Sequence, residues 1–311
     1  MTRVLVTGGA GYVGSVLTPM LLSHGYQVRV LDNLMYRHAS LLPYFKDGEL
    51  EFIRGDVRDS NTLQASIKDV DFVIHLAAIV GAPACARDPR LAEEVNFEST
   101  VQLGQLRSPS QGVIFASTGS NYGAVEDVCT EDTPLNPLSV YGITKTKAET
   151  VLLDGGNAVI YRFATAFGLS SRLRLDLLIN DFVFQALKNR QIVIYEKGFR
   201  RTFIHVHDMA RALLHSVENY HAMQGEAYNV GHESLNYTKE QVALAIREKI
   251  EYKIEFADVG SDPDKRDYEV SYAKVRKTGF TTAVSLEEGI DELIRGCKMI
   301  TLQNPYSNIE S

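Results

Sequence analysis

The N-terminal segment RVLVTGGAGYVGSVLTPMLLSHG restricts the fold more than any other part of the chain. It begins with a short β-branched run, passes through a turn with glycines at positions 8, 11 and 14, and continues in a helical pattern that ends at Gly25. A buried strand joined to a helix by a glycine-rich turn is the first unit of a doubly wound α/β sheet. The segment therefore predicts both a fold class and a place where a phosphate group could bind.

Each glycine of this turn has a separate role. Gly8 permits the tight turn, Gly11 lets the backbone approach a pyrophosphate, and Gly14 allows close packing of helix and strand. The phosphates would lie against free N–H groups at the positive end of the helix dipole. We predict a dinucleotide site with the spacing GxxGxxG rather than GxGxxG, and its contacts at this turn are Gly8, Gly11, Tyr12, Val13 and Gly14.

Strand and helix patterns alternate up to residue 168. The predicted strands are YQVRVLD, LEFIRGD, DVDFVIHLAA, GVIFAST and AVIYRFATAFG, and helices are predicted over 91–106 and SVYGITKTKAETVLLD. This alternation indicates parallel βαβ units, and therefore an α/β fold with a Rossmann doubly wound parallel sheet. We place one domain at 1–168, with 202–230 packing back on it, and a smaller C-terminal α/β substrate lobe at 169–311.

Composition argues against several classes of protein. The chain has 311 residues and a formal net charge of −7, so an extended basic surface for nucleic acid is not indicated. No apolar run approaches the length of a membrane span and no signal-peptide pattern is present, which predicts a cytoplasmic protein without a membrane partner. The three separated cysteines indicate neither disulfides nor zinc, and the His205–His207 pair lacks a third ligand, so no metal is predicted.

Residues that follow the next strands extend the predicted dinucleotide site. Asp32 ends the second strand, where a carboxylate can accept both ribose hydroxyls of NAD and would repel the 2′-phosphate of NADP. A turn capped by Asp32 and Asn33 is the alternative interpretation, and the nearby Arg37 leaves NADP open. Asp56 could contact the adenine edge, and the small residues after the fourth strand leave room for a cofactor. The further predicted cofactor contacts are Asn33, Val57, Leu76, Ala77 and Ala78.

The stretch GVIFASTGSNYG changes abruptly from a buried strand to hydroxyls and glycines. Downstream, Tyr141 and Lys145 lie one helical turn apart, so their side chains face the same way. A lysine ammonium lowers the pKa of a neighbouring phenol and can hold a nicotinamide ribose. The phenolate could then remove a proton from an alcohol while hydride leaves the same carbon, with Thr118 sharing that proton. We predict Thr118, Tyr141 and Lys145 as catalytic residues; a solvated helical face is the alternative interpretation of the YxxxK spacing.

The chain resembles the extended short-chain dehydrogenase/reductases of the nucleotide-sugar epimerase/dehydratase type. The matching segments follow the family's order over nearly the whole length: TGGAGYVG, LDN, GDVRD, HLAA, VNFEST, ASTGSNYG, YGITK, YRFATAFG, RRTFIHVHD, AYNVG and DKRDY. The resemblance implies a tightly held NAD, a nucleotide diphosphate sugar as substrate and a transient 4-keto sugar. It assigns NAD to the domain at 1–168 and the nucleotide sugar to the lobe at 169–311.

The resemblance also assigns substrate contacts by motif. Asn180 in LLINDF would contact the sugar phosphate, and Arg201 and Arg266 would hold the pyrophosphate with their guanidinium groups. A surface ion pair is the alternative for each arginine. The full predicted set is Gly81, Thr118, Ser120, Asn121, Thr165, Asn180, Arg201 and Arg266.

Departures from the family pattern narrow the expected activity. Relatives that dehydrate or decarboxylate carry an acidic residue directly after the catalytic hydroxyl, whereas this chain has Thr118-Gly119-Ser120, so both reactions are disfavoured. Thr165 replaces the usual asparagine of RxxNxxG, which leaves one contact open. We expect an NAD-dependent oxidoreductase acting at C4 of the sugar, similar to bacterial GDP-heptose 4-dehydrogenases of capsular sugar pathways. A UDP-glucose 4-epimerase-like enzyme and a non-catalytic NAD-sensing protein are the alternatives.

Finally, the resemblance implies a homodimer. In the family, the helices equivalent to 91–106 and 139–153 pair across a two-fold axis, and apolar side chains on both would form an isologous contact. The predicted contact residues are Leu91, Val95, Leu103, Leu106, Ile143, Val151 and Leu152.

Overall fold

The computed structural model describes residues 1–125, 127–257, 269–301 and 306–308. Its strands are β1 Arg3–Thr7, β2 Gln27–Asp32, β3 Leu50–Arg54, β4 Phe72–His75, β5 Gly112–Thr118, β6 Ala158–Phe163, β7 Thr165–Phe167, β8 Gln191–Tyr195, β9 Arg200–His205, β10 Glu226–Val230, β11 Asn236–Thr238 and β12 Lys253–Ala257. Its α-helices are α1 Gly14–Ser23, α2 Ser60–Ile67, α3 Ala82–Arg87, α4 Pro89–Glu93, α5 Ser99–Leu106, α6 Val140–Asp154, α7 Leu178–Lys188, α8 Val206–Glu218, α9 Tyr220–Met223, α10 Lys239–Arg247, α11 Ala273–Lys277 and α12 Leu286–Cys297.

The main sheet has seven strands in the order β10-β6-β5-β4-β1-β2-β3, and all of its neighbouring strands pair in parallel. One apolar cluster covers each face of this sheet, with α1 and α8 on one face and α2, α5 and α6 on the other. The strand order reverses between β1 and β4, and ligands of such sheets bind in the crevice outside the carboxyl ends of the strands at this point. The predicted α/β doubly wound fold is confirmed.

The predicted sixth strand is two strands that belong to different sheets. β6 lies in the main sheet, whereas β7 joins β9 and β11 in a three-stranded sheet. Ala164 separates them, and its N–H donates to the carbonyl of Val230 at the end of β10. The sequence predicts one strand because the run AVIYRFATAFG is apolar on both sides of this break.

The predicted helix over 91–106 is also interrupted. It consists of α4, a π-helical turn at Glu94–Glu98 and α5. The hydroxyls of Ser99 and Thr100 donate to the carbonyls of Val95 and Asn96, at 2.6 and 3.0 Å, and such bonds compete with the regular helical pattern. Three of the predicted dimer contacts are buried in the core of the protomer: Val95 and Leu103 in this segment, and Leu152 on α6.

The second lobe is built around its own apolar cluster, to which α7, α10 and α12 contribute. A parallel pair of strands, β8 and β12, borders it, whereas β10 lies at the edge of the main sheet. The division at residue 168 stays a prediction. Within the described parts of the chain no helix is long and apolar enough to cross a membrane, and no group of three or more His, Cys, Asp or Glu residues could hold a metal.

The glycine turn brings β1 and α1 into closer contact than any side chain would allow. Gly8 has a φ of +69°, and a Cβ built on it would lie 2.8 Å from the backbone nitrogen of Ala77. A Cβ on Gly14 would lie 2.5 Å from the Cα of Gly9 and 2.6 Å from the carbonyl oxygen of Gly8. These contacts place the first turn of α1 directly against the end of β1.

Replacing Gly14 by alanine is expected to destabilise the protein. The added methyl would overlap backbone atoms that cannot move independently, so the free energy of unfolding should fall by about 2 kcal/mol or more. Gly104→Ala is the matched control, because Gly104 lies inside α5 and a Cβ there would have nothing within 4 Å. That variant should gain about 0.5–1 kcal/mol from helix propensity. Urea unfolding of both variants checks the pair, and equal stabilities would contradict the account.

Candidate active site

A cavity of about 620 Å³ lies at the carboxyl ends of the main-sheet strands and continues against the second lobe. Residues that follow β1, β2, β3, β4 and β5 line it, together with residues from the segment after β7 and from β8. Most of the predicted site residues line this cavity: Gly8, Gly11, Tyr12, Val13, Gly14, Asp32, Asn33, Asp56, Val57, Leu76, Ala77, Ala78, Gly81, Thr118, Ser120, Tyr141, Lys145, Thr165 and Arg201.

Two predicted substrate contacts do not reach the cavity. Asn121 is fully buried, and its amide donates to Ser117 Oγ at 3.0 Å and to Glu149 at 3.1 Å. Asn180 is also fully buried and spans the turn at Gly168, where it accepts from the N–H at 2.9 Å and donates to the carbonyl at 3.2 Å. In this structure the amide NH2 groups of both residues donate within the protein, and a contact of either residue with the substrate stays a prediction. Arg266 lies outside the described residues.

The dinucleotide end of the cavity is centred on Asp32. One oxygen of its carboxylate accepts the N–H of Ala10 at 3.0 Å, and the other accepts the N–H of Leu34 at 2.8 Å. Burial raises the pKa of this carboxyl despite the two backbone donors. Each oxygen keeps a further lone pair for a ribose hydroxyl. The glycine turn is so close that a Cβ on Gly8 or Gly14 would overlap backbone atoms, and the N-terminus of α1 has no side-chain cap. The residues present therefore fit a dinucleotide such as NAD.

The catalytic end of the cavity combines groups from β5 and α6. Thr118 ends β5, where its hydroxyl donates to Ser120 Oγ and accepts the N–H of Ser120, both at 3.1 Å. Ser139 caps α6 by accepting the N–H of Gly142 at 3.1 Å, which fixes the start of the helix that carries Tyr141 and Lys145. The structure therefore brings the three predicted catalytic residues to one end of one cavity.

Lys145 is buried in a mostly apolar setting. Its Nζ lies 3.8 Å from the centroid of the Phe115 ring. Burial lowers the pKa of Lys145 to about 7, and the neighbouring Cys85 and Glu149 oppose this shift only in part. The Lys145 ammonium therefore loses its proton more easily than that of an exposed lysine.

Behind the catalytic end lies a buried ion pair that the sequence analysis missed. Arg162 donates to Glu149 Oε1 through Nε at 2.9 Å and through Nη2 at 2.6 Å. The other oxygen, Glu149 Oε2, accepts from Ser117 Oγ at 2.7 Å and from the amide of Asn121 at 3.1 Å. Two signals were present: Glu149 lies one helical turn after Lys145, and Arg162 is the single charged residue of the apolar run AVIYRF.

Replacing Glu149 by glutamine should be strongly destabilising. The neutral amide would leave the guanidinium of Arg162 buried without its counter-charge, so the expected loss is about 3 kcal/mol or more. Glu93→Gln is the control. Glu93 pairs with Lys147 at 2.8 Å in a partly exposed position, and Lys147 lies on the same helix as Glu149. This substitution should lower the free energy of unfolding by less than about 1 kcal/mol. Chemical unfolding measures both, and similar losses in the two variants would refute this account of the pair.

The low pKa of Lys145 predicts a pH dependence of stability. In the unfolded chain a lysine titrates near 10.4, whereas in the folded protein without cofactor the pKa is about 7. Between these values the unfolded state binds more protons, so the free energy of unfolding should rise as the pH increases from 7 to 10. Lys145→Met should be more stable than the wild type at pH 7 and should lose this rise. Urea unfolding of both proteins at pH 7 and pH 9.5 tests this pH dependence. Parallel changes in the free energy of unfolding would contradict a lowered pKa of Lys145.

Comparisons with known proteins agree with this geometry. The model of the NAD dependent epimerase/dehydratase family matches residues 4–231, so the chain belongs to that family. A putative UDP-glucose 4-epimerase of Methanocaldococcus jannaschii is 28% identical over 95% of this chain and 98% of its own length. UDP-glucuronic acid decarboxylase 1 of Arabidopsis thaliana is 29% identical over 94% of this chain and 69% of its own length.

Solved structures share the whole fold. The UDP-glucuronic acid 4-epimerase of Bacillus cereus, in complex with UDP-glucuronic acid and NAD, has a TM-score of 0.87 at 24% identity, covering 96% of this chain and 100% of that chain. The UDP-glucose 4-epimerase of Thermus thermophilus, in complex with NAD, has a TM-score of 0.81 at 25% identity, with the same coverage of both chains. The protein is thus an enzyme with NAD as its cofactor, and both predictions are confirmed.

Proposed function

We propose that this enzyme oxidises C4 of a nucleotide diphosphate sugar to a 4-keto sugar and then reduces it from the opposite face, as a 4-epimerase does. One observation carries the proposal. Thr118, Tyr141 and Lys145 line one cavity and come from the contacting elements β5 and α6, and the carboxylates among the described lining residues are Asp32, Asp56 and Asp176.

These carboxylates already have other partners. Asp32 accepts two backbone N–H groups, Asp56 bonds with Arg58 at 3.0 Å, and Asp176 bonds with Arg174 at 2.5 Å. Elimination of water across C5 and C6 needs a base for the C5 proton and an acid for the departing hydroxyl, and decarboxylation needs a proton delivered to C5. Among the described residues at the catalytic end, Tyr141, Lys145 and the hydroxyls are the proton-carrying groups and no carboxylic acid is present, which favours redox chemistry at C4 alone.

The roles of the residues follow from their chemistry. The phenolate of Tyr141 takes the proton of the C4 hydroxyl, and Thr118 hydrogen-bonds the same oxygen. Lys145 stabilises the phenolate and holds the nicotinamide ribose. Bound NAD supplies the acceptor for the hydride from C4 and returns it. For epimerisation the keto sugar must turn over, and the small residues Gly81, Ala82 and Ala164 line the cavity and leave room for this.

The charges of the cavity match a pyrophosphate-bearing substrate. Arg201 and Lys239 line the second-lobe side, where guanidinium and ammonium groups suit phosphate oxygens. The relatives named above carry UDP-sugar names, so UDP-glucose and UDP-glucuronic acid are the first substrates to test. A homodimer through α4, α5 and α6 stays part of the proposal, and the candidate contacts that are not buried in the protomer are Leu91, Leu106, Ile143 and Val151.

A GDP-heptose 4-dehydrogenase is the second candidate. It is supported by the resemblance of the segments AGYVGSVLTPMLL, AAIVGAPAC, RLDLLINDF and GSDPDKRDY. The two candidates differ in redox balance. A dehydrogenase releases the keto sugar and forms one NADH per product, whereas an epimerase shows no net change in NAD.

Product analysis with a panel of UDP-, GDP-, dTDP- and CDP-sugars tests the proposal and distinguishes the candidates. NMR reports inversion at C4, and absorbance at 340 nm reports net NADH. An epimerised sugar without NADH is expected. A 4-keto product with equivalent NADH would favour the dehydrogenase, and loss of water or carbon dioxide would overturn the proposal.

Tyr141→Phe keeps the ring and removes the proton acceptor. With the correct sugar we expect kcat to fall by roughly a hundredfold or more while substrate affinity persists. Thr118→Ala removes one hydrogen bond and leaves the base, so its loss should be smaller. Steady-state kinetics of both variants measure which one loses more kcat. Near-normal turnover by Tyr141→Phe would show that another group takes the proton.

A further inference from the structure

The segment between β7 and α7, which we call the crossing segment (residues 168–177), lies against the first turn of α1. The hydroxyl of Tyr12 donates to the carbonyl of Gly168 at 2.8 Å. Further along, the N–H of Arg172 lies 3.4 Å from Ser15 Oγ. A segment that leads into the second lobe therefore lies directly beside the glycine turn of the first.

Arg172 is an unusual residue within the crossing segment. It is only 1% exposed, yet its Nε and Nη2 have no hydrogen-bond partner among the described residues. Among the described residues, its Nη1 has a long contact of 3.5 Å with the carbonyl of Leu173. The guanidinium lies over the ring of Tyr36, with 4.0 Å between its Cζ and the ring centroid. A buried guanidinium without acceptors is costly, so its retention calls for an anion that the protein itself does not supply.

The neighbouring charges do not supply this anion. Asp176 is bound to Arg174, through a contact of 2.5 Å. The carboxylate of Asp32 accepts two backbone N–H groups. Burial, reinforced by the charge of Arg174, lowers the pKa of Arg172 to about 10, which still leaves the guanidinium charged at neutral pH. Arg172 is therefore a charged lining residue of the cavity whose Nε and Nη2 have no acceptor among the described residues.

We propose that Arg172 binds the pyrophosphate of NAD, so that the crossing segment and the glycine turn hold the same group. A planar guanidinium can bind two phosphate oxygens at once. The backbone N–H groups of the turn can bind some oxygens of the pyrophosphate and leave the others for Arg172. The substrate also carries a pyrophosphate. The neighbours of Arg172, however, are Ser15 of α1, Asp32 at the end of β2 and Tyr36 just after it. These residues belong to the dinucleotide end of the cavity.

Calorimetric titration of the nucleotide-free protein tests the assignment. In Arg172→Met we expect the Kd for NAD and for ADP-ribose, which contains the same pyrophosphate, to rise at least tenfold. The Kd for UDP, a probe of the substrate site, should stay within about twofold. Arg90→Met is the charge-matched control, because the Arg90 side chain is 89% exposed, and it should bind all three ligands like the wild type. Unchanged ADP-ribose affinity, or a loss confined to UDP, would overturn the proposal.

Stability without nucleotide separates a binding role from a structural one. If Arg172 serves to bind an anion, Arg172→Met should unfold at the same temperature as the wild type or higher, since a buried unpaired charge is removed. The rise in melting temperature on adding NAD should shrink in this variant. Arg172→Lys keeps the charge without the planar guanidinium, so its NAD affinity should lie between those of the wild type and Arg172→Met. A nucleotide-free Arg172→Met with lowered stability and wild-type NAD affinity would show that the residue is structural.

Discussion

The buried ion pair of Glu149 and Arg162 holds the catalytic end of the molecule together. Both carboxylate oxygens are satisfied, one by the guanidinium and the other by Ser117 and Asn121. Two charges removed from water are stable only with such complete bonding, and this restricts the relative positions of β5, β6 and α6 to one arrangement. Thr118 follows Ser117 directly and Lys145 precedes Glu149 by one turn, so the pair sets the geometry of both.

Among the described residues that line the cavity, Lys145 and Arg172 are buried cations whose pKa burial lowers. Lys145 faces an aromatic ring at one end, and Arg172 lies over another at the other end. In both cases burial lowers the pKa. A ligand that binds such groups only in the folded protein also raises the folding stability. The protein without cofactor retains positive charge in a setting that disfavours it.

Hydrophobic periodicity was sufficient to predict the fold, because each βαβ unit has its own pattern of strand, turn and helix. Most of the predicted site residues line one cavity, since they follow strand ends or match a motif. The differences between the sequence-based expectations and the structure have physical causes. An amide such as Asn121 or Asn180 has the same letter whether it faces a ligand or the core, and the break at Ala164 lies inside an apolar run. The partners Glu149 and Arg162 lie on different elements, so no local pattern connects them. Arg172 lies in a segment without periodicity, where nothing in the sequence indicates its burial.

The separation of β6 and β7 by one residue has a consequence for how this chain can change over time. All three predicted catalytic residues come from elements before that break, whereas Val193, Tyr195 and Lys239, which also line the cavity, come from elements after it. Substitutions at these later positions alter the shape and polarity offered to a bound molecule and leave the proton-transfer groups in place. Selection can therefore redirect such an enzyme to a new substrate through the later elements while its chemistry is inherited intact.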